Sequence, residues 1–365
     1  MIQLGIIGLG EVSQLMHLPI LQDLGEKYDV VAISDISPSL LDFVQKKYKI
    51  SKAYLDADEL IDDPAIQAVL LLSPDQYHGR QMERALRNGK HVFVEKPATL
   101  SRGELETLIE VKKNYPDQIV MVGYMRRYAS PFLKAKEILE AQPRPTQHLR
   151  FRDIICEGPF YIGQTRPIFY PNDAPAASIE EGGRLRREQL DASIGADASD
   201  AQRTAYQMMT GLGCHSFSAV RELFGLPQRI LSVATSHQGR HLVIVMEYDG
   251  FLATYELVND QDIVEFDACI EIYQQNRKIK IKYETPYIRY QPMYVEVTES
   301  SAETTQYTHY GPDYCDPFQT ELLLFAESIA TGNEPKTGLS DAIHDLTFFE
   351  KVVSMIGKEE RSCAT

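Results

Sequence analysis

The sequence predicts an α/β protein that begins with a doubly wound parallel sheet and continues with an α+β domain built on a large, mostly antiparallel open sheet. In the first 124 residues, short and continuously apolar runs alternate with amphipathic stretches, as expected for strands that are covered on both faces. After about residue 145 the apolar runs are longer, β-branched and closely spaced, and Asp249–Gly250 is a hairpin turn signal between two of them. These two patterns indicate a parallel sheet followed by adjacent hairpins.

The patterns also predict the individual elements. The strands expected in the first part are Ile2–Ile7, Val30–Ser34, Ala68–Leu72, His91–Val94 and Ile119–Gly123, with helices from Pro38 and over Asp75–Asn88 and Ser101–Asn114. Those expected in the second part are Leu149–Ile155, Arg229–Ser236, His241–Tyr248, Phe251–Val258, Ile263–Tyr273 and Lys278–Tyr283, followed by helices Pro317–Thr331 and Ser340–Ile356. A chain of 365 residues is long for one core, so we expect domains at 1–125 and 126–365, with the closing helices in the second domain or packed back on the first.

Composition excludes several classes of partner. The formal net charge is −15, which disfavours binding to nucleic acid and to anionic membranes. No signal peptide precedes the first strand, and no run of about 18 apolar residues is long enough to span a bilayer. The five cysteines (Cys156, Cys214, Cys269, Cys315 and Cys363) are scattered, which indicates reduced thiols in a cytoplasmic protein and predicts no metal site.

One stretch, residues 171–203, fits neither pattern. It is polar, rich in Ala, Asp, Glu and Arg, and short of large apolar side chains. Such a segment cannot bury much of a core. It is interpreted as a mobile lid, as an arm that contacts another subunit, or as a long solvated excursion.

A glycine-rich turn directly after the first strand predicts a phosphate-binding loop. Its members are Gly8, Leu9, Gly10, Glu11, Val12 and Ser13. Gly8 permits the tight turn, and Gly10 lets the backbone approach a pyrophosphate at the helix N-terminus. Asp35, at the end of the second strand, can accept hydrogen bonds from ribose hydroxyls and would repel a 2′-phosphate, so NAD is favoured over NADP. The alternative is that Asp35 only caps a helix.

Three polar clusters follow later strands. They are Ser73, Pro74 and His78; Glu95, Lys96 and Pro97; and Met125, Arg126 and Arg127. The carboxyl ends of parallel strands meet at one edge of a sheet, where ligands bind, so we expect these clusters to line one crevice. Lys96 follows a buried run and precedes a proline, which favours a fixed lysine that exchanges a substrate hydroxyl proton.

Together these motifs, with His17-Leu18-Pro19 and Gly123-x-x-Arg126-Arg127, resemble the glucose–fructose oxidoreductase/inositol dehydrogenase/rhizopine-catabolism (GFO/IDH/MocA) family over nearly the whole chain. The resemblance implies an N-terminal Rossmann domain, oxidation or reduction of a sugar or cyclitol with NAD(P), and assembly into homodimers or homotetramers. It implies that Lys96 is catalytic and contacts the cofactor, that His78, Glu95 and Met125 line the cofactor crevice, and that Arg126 and Arg127 reach the substrate.

The family's second motif is Asp-x-Gly-x-His, and the corresponding stretch here is Gly211-Leu212-Gly213-Cys214-His215. His215 is kept as a catalytic and substrate-binding candidate, because an ordinary imidazole titrates near neutrality. The family's aspartate is replaced by Gly211. A capping or packing role for His215 stays open. Arg152 could face the substrate together with Asp153, although an ordinary ion pair at the sheet edge explains that pair at least as well.

The sequence therefore predicts a cytoplasmic NAD-dependent dehydrogenase or reductase that acts on the CH–OH group of a small polyol or sugar. A non-catalytic NAD-binding regulator of the same fold is the alternative, which the glycine at position 211 keeps open. A third interpretation is a glycoside-cleaving enzyme that works by transient oxidation. Lys96 together with His215 favours the dehydrogenase, since a regulator needs neither.

Overall fold

The computed structural model describes residues 1–156, 158–165 and 167–357, so Cys363 lies outside the described residues. Its strands are β1 Ile2–Ile7, β2 Tyr28–Ser34, β3 Lys52–Tyr54, β4 Ala68–Leu71, β5 His91–Glu95, β6 Val120–Gly123, β7 Thr146–Ile155, β8 Arg229–Ser236, β9 His241–Tyr248, β10 Phe251–Asn259, β11 Asp267–Gln274, β12 Arg277–Tyr283, β13 Met293–Ser300 and β14 Thr305–Asp313. Its α-helices are α1 Leu18–Asp23, α2 Pro38–Tyr48, α3 Ala57–Asp62, α4 His78–Arg87, α5 Arg102–Lys113, α6 Ser130–Ala141, α7 Gly158–Thr165, α8 Ala176–Ile194, α9 Asp200–Met208, α10 Cys214–Phe224, α11 Pro317–Thr331 and α12 Leu339–Met355.

The first sheet is parallel throughout. Within the described residues its six strands run in the order β3-β2-β1-β4-β5-β6. Every residue of β4 and of β6 is buried, as a sheet with both faces covered requires. The strand order reverses between β1 and β4, and that switch point is where doubly wound sheets bind ligands.

Backbone contacts divide the chain into two compact units. The first comprises Met1–Gly123, Arg166–Ala196 and Phe318–Leu346, and the second comprises Tyr124–Thr165, Asp197–Pro317 and Thr347–Thr365. The sequence leaves open whether the closing helices pack back on the first domain, and this division groups Phe318–Leu346 and, in addition, Arg166–Ala196 with the N-terminal part. In the first unit Tyr28 Oη donates a hydrogen bond to Leu322 O at 2.5 Å, and Val122 N donates to Thr337 O at 2.8 Å.

The second unit is built on a mostly antiparallel sheet. In the part of the chain that the structure describes, its eight strands run in the order β14-β13-β12-β11-β7-β10-β9-β8, and only β7 and β10 pair in parallel. The predicted fold class, a parallel Rossmann sheet followed by an α+β domain with a large antiparallel sheet, is confirmed.

Three strands were not predicted, and one was predicted too long. β3 has no fully buried residue, and β14 is almost entirely exposed, so neither shows an apolar pattern. In β13 buried and more exposed residues alternate, with Met293, Val295 and Val297 buried, so this strand does carry a period-two apolar pattern. The predicted strand Ile263–Tyr273 begins only at Asp267, because the Asp260 carboxylate accepts a hydrogen bond from Asp262 N at 2.9 Å and holds a turn there.

The polar stretch 171–203 contains two helices rather than a structureless excursion. α8 covers 19 residues, of which only Gly182 and Leu190 are buried. Arg184 pairs with Glu181 at 2.6 Å and with Glu188 at 2.5 Å along the exposed face of this helix. Such pairs at spacings of three and four residues support a helix that buries little apolar surface.

Candidate cofactor and catalytic site

The glycine turn after β1 has the geometry that a nucleotide phosphate needs. Gly8 has φ +91°, and a Cβ built on it would lie 2.5 Å from Leu72 O and Ser73 N, so only glycine fits there. Gly10 is exposed, and a Cβ on it would meet nothing within 4 Å, which leaves its backbone approachable. Leu9 is fully buried, and Glu11 and Val12 begin the helical turn that follows.

Asp35 ties the end of β2 to this turn. Its Oδ2 accepts a hydrogen bond from Leu9 N at 2.9 Å, and its Oδ1 accepts one from Ser37 N at 3.0 Å. Burial raises the pKa of the Asp35 carboxyl, although the two backbone donors oppose that rise. A half-buried carboxylate oriented by two backbone amides is a preorganised acceptor for the hydroxyls of a ribose.

A cavity of about 670 Å³ lies within the first unit beside this carboxylate. The ends of β1, β2 and β4 supply one wall, α8 supplies another, and the starts of α3 and α4 with the loops before them supply the rest. Its lining includes Ile7, Gly8, Ser34, Asp35, Ile36, Leu55, Asp56, Ala57, Asp58, Ser73, Pro74, Gln76, Tyr77, Arg80, Gln81, Ala177, Ser178, Ile179, Glu181, Gly182 and Gly183. Predicted Gly8, Asp35, Ser73 and Pro74 thus meet at one cavity.

His78 joins two loops at the same edge of the sheet. It is buried, with Nε2 2.8 Å from Ser73 O and Nδ1 2.9 Å from Pro97 O. Burial lowers its pKa, although the contacts with the two carbonyl oxygens oppose that effect. His78 therefore positions the loops that follow β4 and β5.

Lys96 follows β5, and its backbone is anchored by the residue before it. Lys96 N donates a hydrogen bond to Glu95 Oε2 at 3.2 Å, while Glu95 Oε1 accepts one from His17 Nε2 at 2.8 Å. Burial would raise the pKa of Glu95, but the His17 hydrogen bond and the nearby cationic groups outweigh burial and leave that pKa below its ordinary value. His17 is fully buried between Phe93 and Phe318.

The predicted arginines lie in ion pairs. Arg126 and Asp153 form a buried ion pair that Ser216 and Tyr255 also contact; Arg126 Nη1 donates to Ser216 Oγ at 2.6 Å, and Tyr255 Oη donates to Asp153 Oδ2 at 2.8 Å. Arg127 Nε donates to Glu222 Oε2 at 2.7 Å. Met125, which precedes Arg126 in the sequence, is also buried.

Arg152 contacts neighbouring strand residues rather than Asp153. Its Nε lies 2.5 Å from Asp267 Oδ2, and its Nη1 lies 2.9 Å from Glu271 Oε2. Asp153 is fully buried on the other face of β7, because side chains alternate along a strand. The sheet ion pair is thus the interpretation that the geometry favours for Arg152.

The stretch that carries His215 forms a single π-turn, Met209–Gly213, that leads into α10. His215 is half-buried in the first turn of that helix. Gly211 is exposed, and a Cβ there would meet nothing within 4 Å. The backbone therefore leaves room for a side chain at the position where the family's motif has aspartate.

The sequence reasoning missed several residues of the site. The sequence gives His17 only as part of a motif, whereas the structure makes it the partner of Glu95. The sequence gives no signal for Ile179, which lines the cavity. Outside this site, His237, His241 and Asp260 bring three possible ligand atoms within 4.8 Å of one another, whereas no metal site was predicted. Asp260 follows β10, and the pairing of β10 with β9 brings it close to the two histidines. The spacing of these residues along the sequence does not predict that contact.

The parallel sheet, the glycine turn and the oriented Asp35 define a dinucleotide-binding Rossmann protein. Residues 2–124 match the GFO_IDH_MocA family, which is described as an oxidoreductase family with an NAD-binding Rossmann fold. Over residues 2–124 the resemblance predicted from the motifs is confirmed, and there the chain has the NAD-binding fold of this family.

Curated relatives align over the same part of the chain. Myo-inositol 2-dehydrogenase of Thermotoga maritima is 35% identical over 138 residues, which are 38% of this chain and 40% of that protein. Scyllo-inositol 2-dehydrogenase (NAD(+)) of Bacillus subtilis is 31% identical over 140 residues, which are 38% of this chain and 40% of that protein. The matched region thus spans about two-fifths of these relatives.

The likeness of fold extends much further. The solved structure of KijD10, a 3-ketoreductase from Actinomadura kijaniata in complex with NADP, covers 97% of each chain with a TM-score of 0.73 at 16% identity. At that identity the likeness shows the fold alone.

Among the described residues, no helix is both long and apolar enough to cross a membrane.

Proposed function

We propose that the protein is an NAD-dependent oxidoreductase that transfers a hydride between nicotinamide and a carbinol carbon of a sugar, sugar derivative or cyclitol. The position of Lys96 carries the proposal. Lys96 follows β5, and only β4 separates that strand from β1 and its glycine turn, so the two strand ends lie roughly 10 Å apart. The inositol dehydrogenases among the relatives support a polyol substrate.

The residues at the cavity fit NAD better than NADP. Gly8 and Gly10 leave the backbone open to a pyrophosphate, and Asp35 offers an acceptor for ribose hydroxyls. Asp56, Asp58 and Glu181 line the same cavity, and its one described basic residue, Arg80, bonds to Asp58 at 2.7 Å. A 2′-phosphate would meet this excess of negative charge, and that repulsion supports NAD.

When bound, NAD supplies the hydride acceptor or donor. In the oxidative direction Lys96 Nζ, as the free amine, would accept the proton of the substrate hydroxyl, and the carbinol would be oxidised to a carbonyl compound. His215 serves as the second proton-handling group. Glu95 and His17 hold the Lys96 backbone in place. Substrate contacts by Arg126, Arg127 and Arg152 stay predictions, because each arginine already has an acidic partner.

A substrate screen tests the proposal. The purified protein is mixed with inositols, aldoses and sugar acids, with NAD and NADP in parallel, and reduction of the cofactor is followed by absorbance. We expect turnover with NAD on at least one polyol. Tight NAD binding without turnover on any member of the panel would contradict the enzyme and support the regulator.

Gly211 is the observation that favours a non-catalytic NAD-binding regulator as the second candidate. An aspartate would fit at this exposed position, yet the chain carries glycine there. Gly211→Asp discriminates between the two. A dehydrogenase should show a changed pH profile of turnover in this variant, whereas a regulator should show no turnover before or after the change.

We also propose a homo-oligomer and a cytoplasmic location. Val243 on β9 and Leu252 on β10 are exposed apolar side chains on adjacent strands of the second sheet, and we take them as support for association. Molar mass from light scattering tests the homo-oligomer, and a monomer would contradict it.

The described cysteines form no disulfide, which supports a reducing compartment.

A further inference from the structure

We propose that residues 167–196, named here the cover segment, form the outer wall of the adenosine half of the nucleotide site and slow the release of NAD. This inference rests on the proposed function, since it assumes that the cavity beside Asp35 holds the dinucleotide. Residues 177–179 and 181–183 line that cavity opposite the ends of the parallel strands. None of the sequence motifs that predict the cofactor site lies in this segment.

Three large apolar side chains mark where the purine would lie. Ile36, Leu55 and Ile179 are 44%, 55% and 62% exposed, and all three line the cavity. Ile36 follows β2, Leu55 follows β3, and Ile179 comes from α8 of the cover segment. Apolar side chains around a cavity with a few polar groups are typical of a site for a flat organic ring.

The start of the cover segment is fixed to the helix that follows the glycine turn. Gln14 Nε2 donates to Phe169 O at 3.0 Å, and Phe169 N donates to Gln14 Oε1 at 3.0 Å, so the amide is satisfied on both sides. The Phe169 ring stacks on Phe43 with 4.9 Å between centroids. Tyr170 Oη also donates to Glu11 Oε1 at 2.9 Å.

A carboxylate of the cover segment meets the start of α2. Asp173 Oδ2 accepts a hydrogen bond from Ser39 N at 2.9 Å, and Asp173 Oδ1 accepts hydrogen bonds from the hydroxyls of Ser37 and Ser39. Ser37 N is in turn a donor to Asp35. The cover segment therefore contacts the residue that orients the ribose-binding carboxylate.

The helix of the cover segment meets the loop after β4. Arg186 Nη2 lies 2.7 Å from Asp75 Oδ1, and Gln189 Nε2 donates to Gln76 O at 3.0 Å. Asp75 and Gln76 come directly after Ser73 and Pro74, which line the cavity.

The cover segment thus contacts the helix after the glycine turn, the start of α2 and the loop after β4. A ligand that orders these elements stabilises the docked segment, and by thermodynamic reciprocity the docked segment raises the affinity for that ligand. Because α8 forms one wall of the cavity, the contacts between this wall and the adenosine half must break before the ligand leaves. We therefore expect an effect mainly on the dissociation rate.

The test compares variants that loosen the cover segment with a matched control. Phe169→Ala/Arg186→Ala removes the ring stack and the Asp75 ion pair, and Arg186→Ala alone is the milder variant. Arg229→Ala is the control, because Arg229 is exposed on β8 of the second unit and pairs with Glu247 outside the cavity. NADH dissociation is followed by stopped-flow fluorescence, and hydrogen exchange of the α8 amides is measured with and without NAD.

We expect release to be about tenfold faster in the double variant, about threefold faster in Arg186→Ala and unchanged in Arg229→Ala. NAD should slow amide exchange in α8 of the wild-type protein. Equal release rates in all variants, together with exchange that NAD does not alter, would overturn the inference. If the wild-type protein fails to bind NADH at all, the proposed function itself fails.

Ligand fragments locate the effect. ADP-ribose contains the adenosine half, and nicotinamide mononucleotide lacks it. Ile179→Arg should raise the Kd of ADP-ribose by about tenfold and leave that of nicotinamide mononucleotide unchanged. Equal effects on both fragments, or none on ADP-ribose, would contradict placing the adenosine against α8.

Discussion

At the scale of single residues, the sequence predicts best those groups whose partners are close along the chain. Gly8 and Asp35 belong to motifs with fixed spacing, and the structure brings them to one cavity. His17 and Glu95 are 78 residues apart, and Ser37 and Asp173 are 136 apart. No local pattern predicts such contacts, because they depend on how the strands and segments pack.

Cofactor choice is a prediction at this scale. In Asp35→Ser/Ile36→Arg a carboxylate is lost and a guanidinium is gained, which favours a 2′-phosphate. We expect the ratio of the Kd for NAD to the Kd for NADP to rise by about 100-fold, measured by fluorescence titration. Ile36→Ala is the control. An unchanged ratio in the double variant would show that Asp35 does not contact the ribose.

Glu104 gives a prediction about pH. Burial, with a smaller contribution from Glu83, raises the pKa of its carboxyl to about 7. Between about pH 4.5 and pH 7 the folded protein then binds more protons at Glu104 than the unfolded chain, so the free energy of unfolding falls as pH rises. Glu104→Gln should remove about 2–3 kcal/mol of that fall, measured by urea unfolding at pH 5 and pH 8. An identical pH dependence in the variant would contradict this.

At the scale of elements, periodicity predicts most of the described strands but only five of the twelve described α-helices, and slight burial accounts for two of the failures. β14 lacks an apolar face, and α8 buries only two residues, so neither shows a usable pattern. α8 is held by polar contacts such as Arg186 with Asp75, and these need the folded partner. The same reason explains why the polar stretch was not recognised as part of the cofactor site.

The buried ion pair in the second unit holds elements together. Arg126 lies in the short 3₁₀ turn Met125–Tyr128, Asp153 in β7 and Ser216 in α10. Arg126→Met leaves a buried carboxylate without its cation and should lower the free energy of unfolding by about 3–5 kcal/mol. Arg150→Ala on the same strand is the control, because Arg150 is 42% exposed, and we expect less than about 1 kcal/mol there.

Denaturant unfolding of both variants measures the difference. Equal losses of unfolding free energy in Arg126→Met and Arg150→Ala would show that the buried pair does not hold these elements together.

At the scale of the molecule, the fold class follows from the sequence, and the family match supports it over residues 2–124. The order of strands in the second sheet, with β7 at its centre, depends on pairings between distant segments and was not predicted. The proposal of a hydride-transferring enzyme rests on Lys96, which lies in a motif directly after β5.

Lys96→Met is the most direct test of that chemistry. With a substrate from the screen, we predict that kcat falls by at least about 10³-fold while the Kd for NAD stays within about threefold of the wild-type value, because the variant loses the proton-exchanging amine and keeps the dinucleotide site. Lys46→Met, at a position 75% exposed on α2, should change neither quantity. If Lys96→Met keeps most of the wild-type turnover, the claim that this lysine exchanges the substrate proton is contradicted.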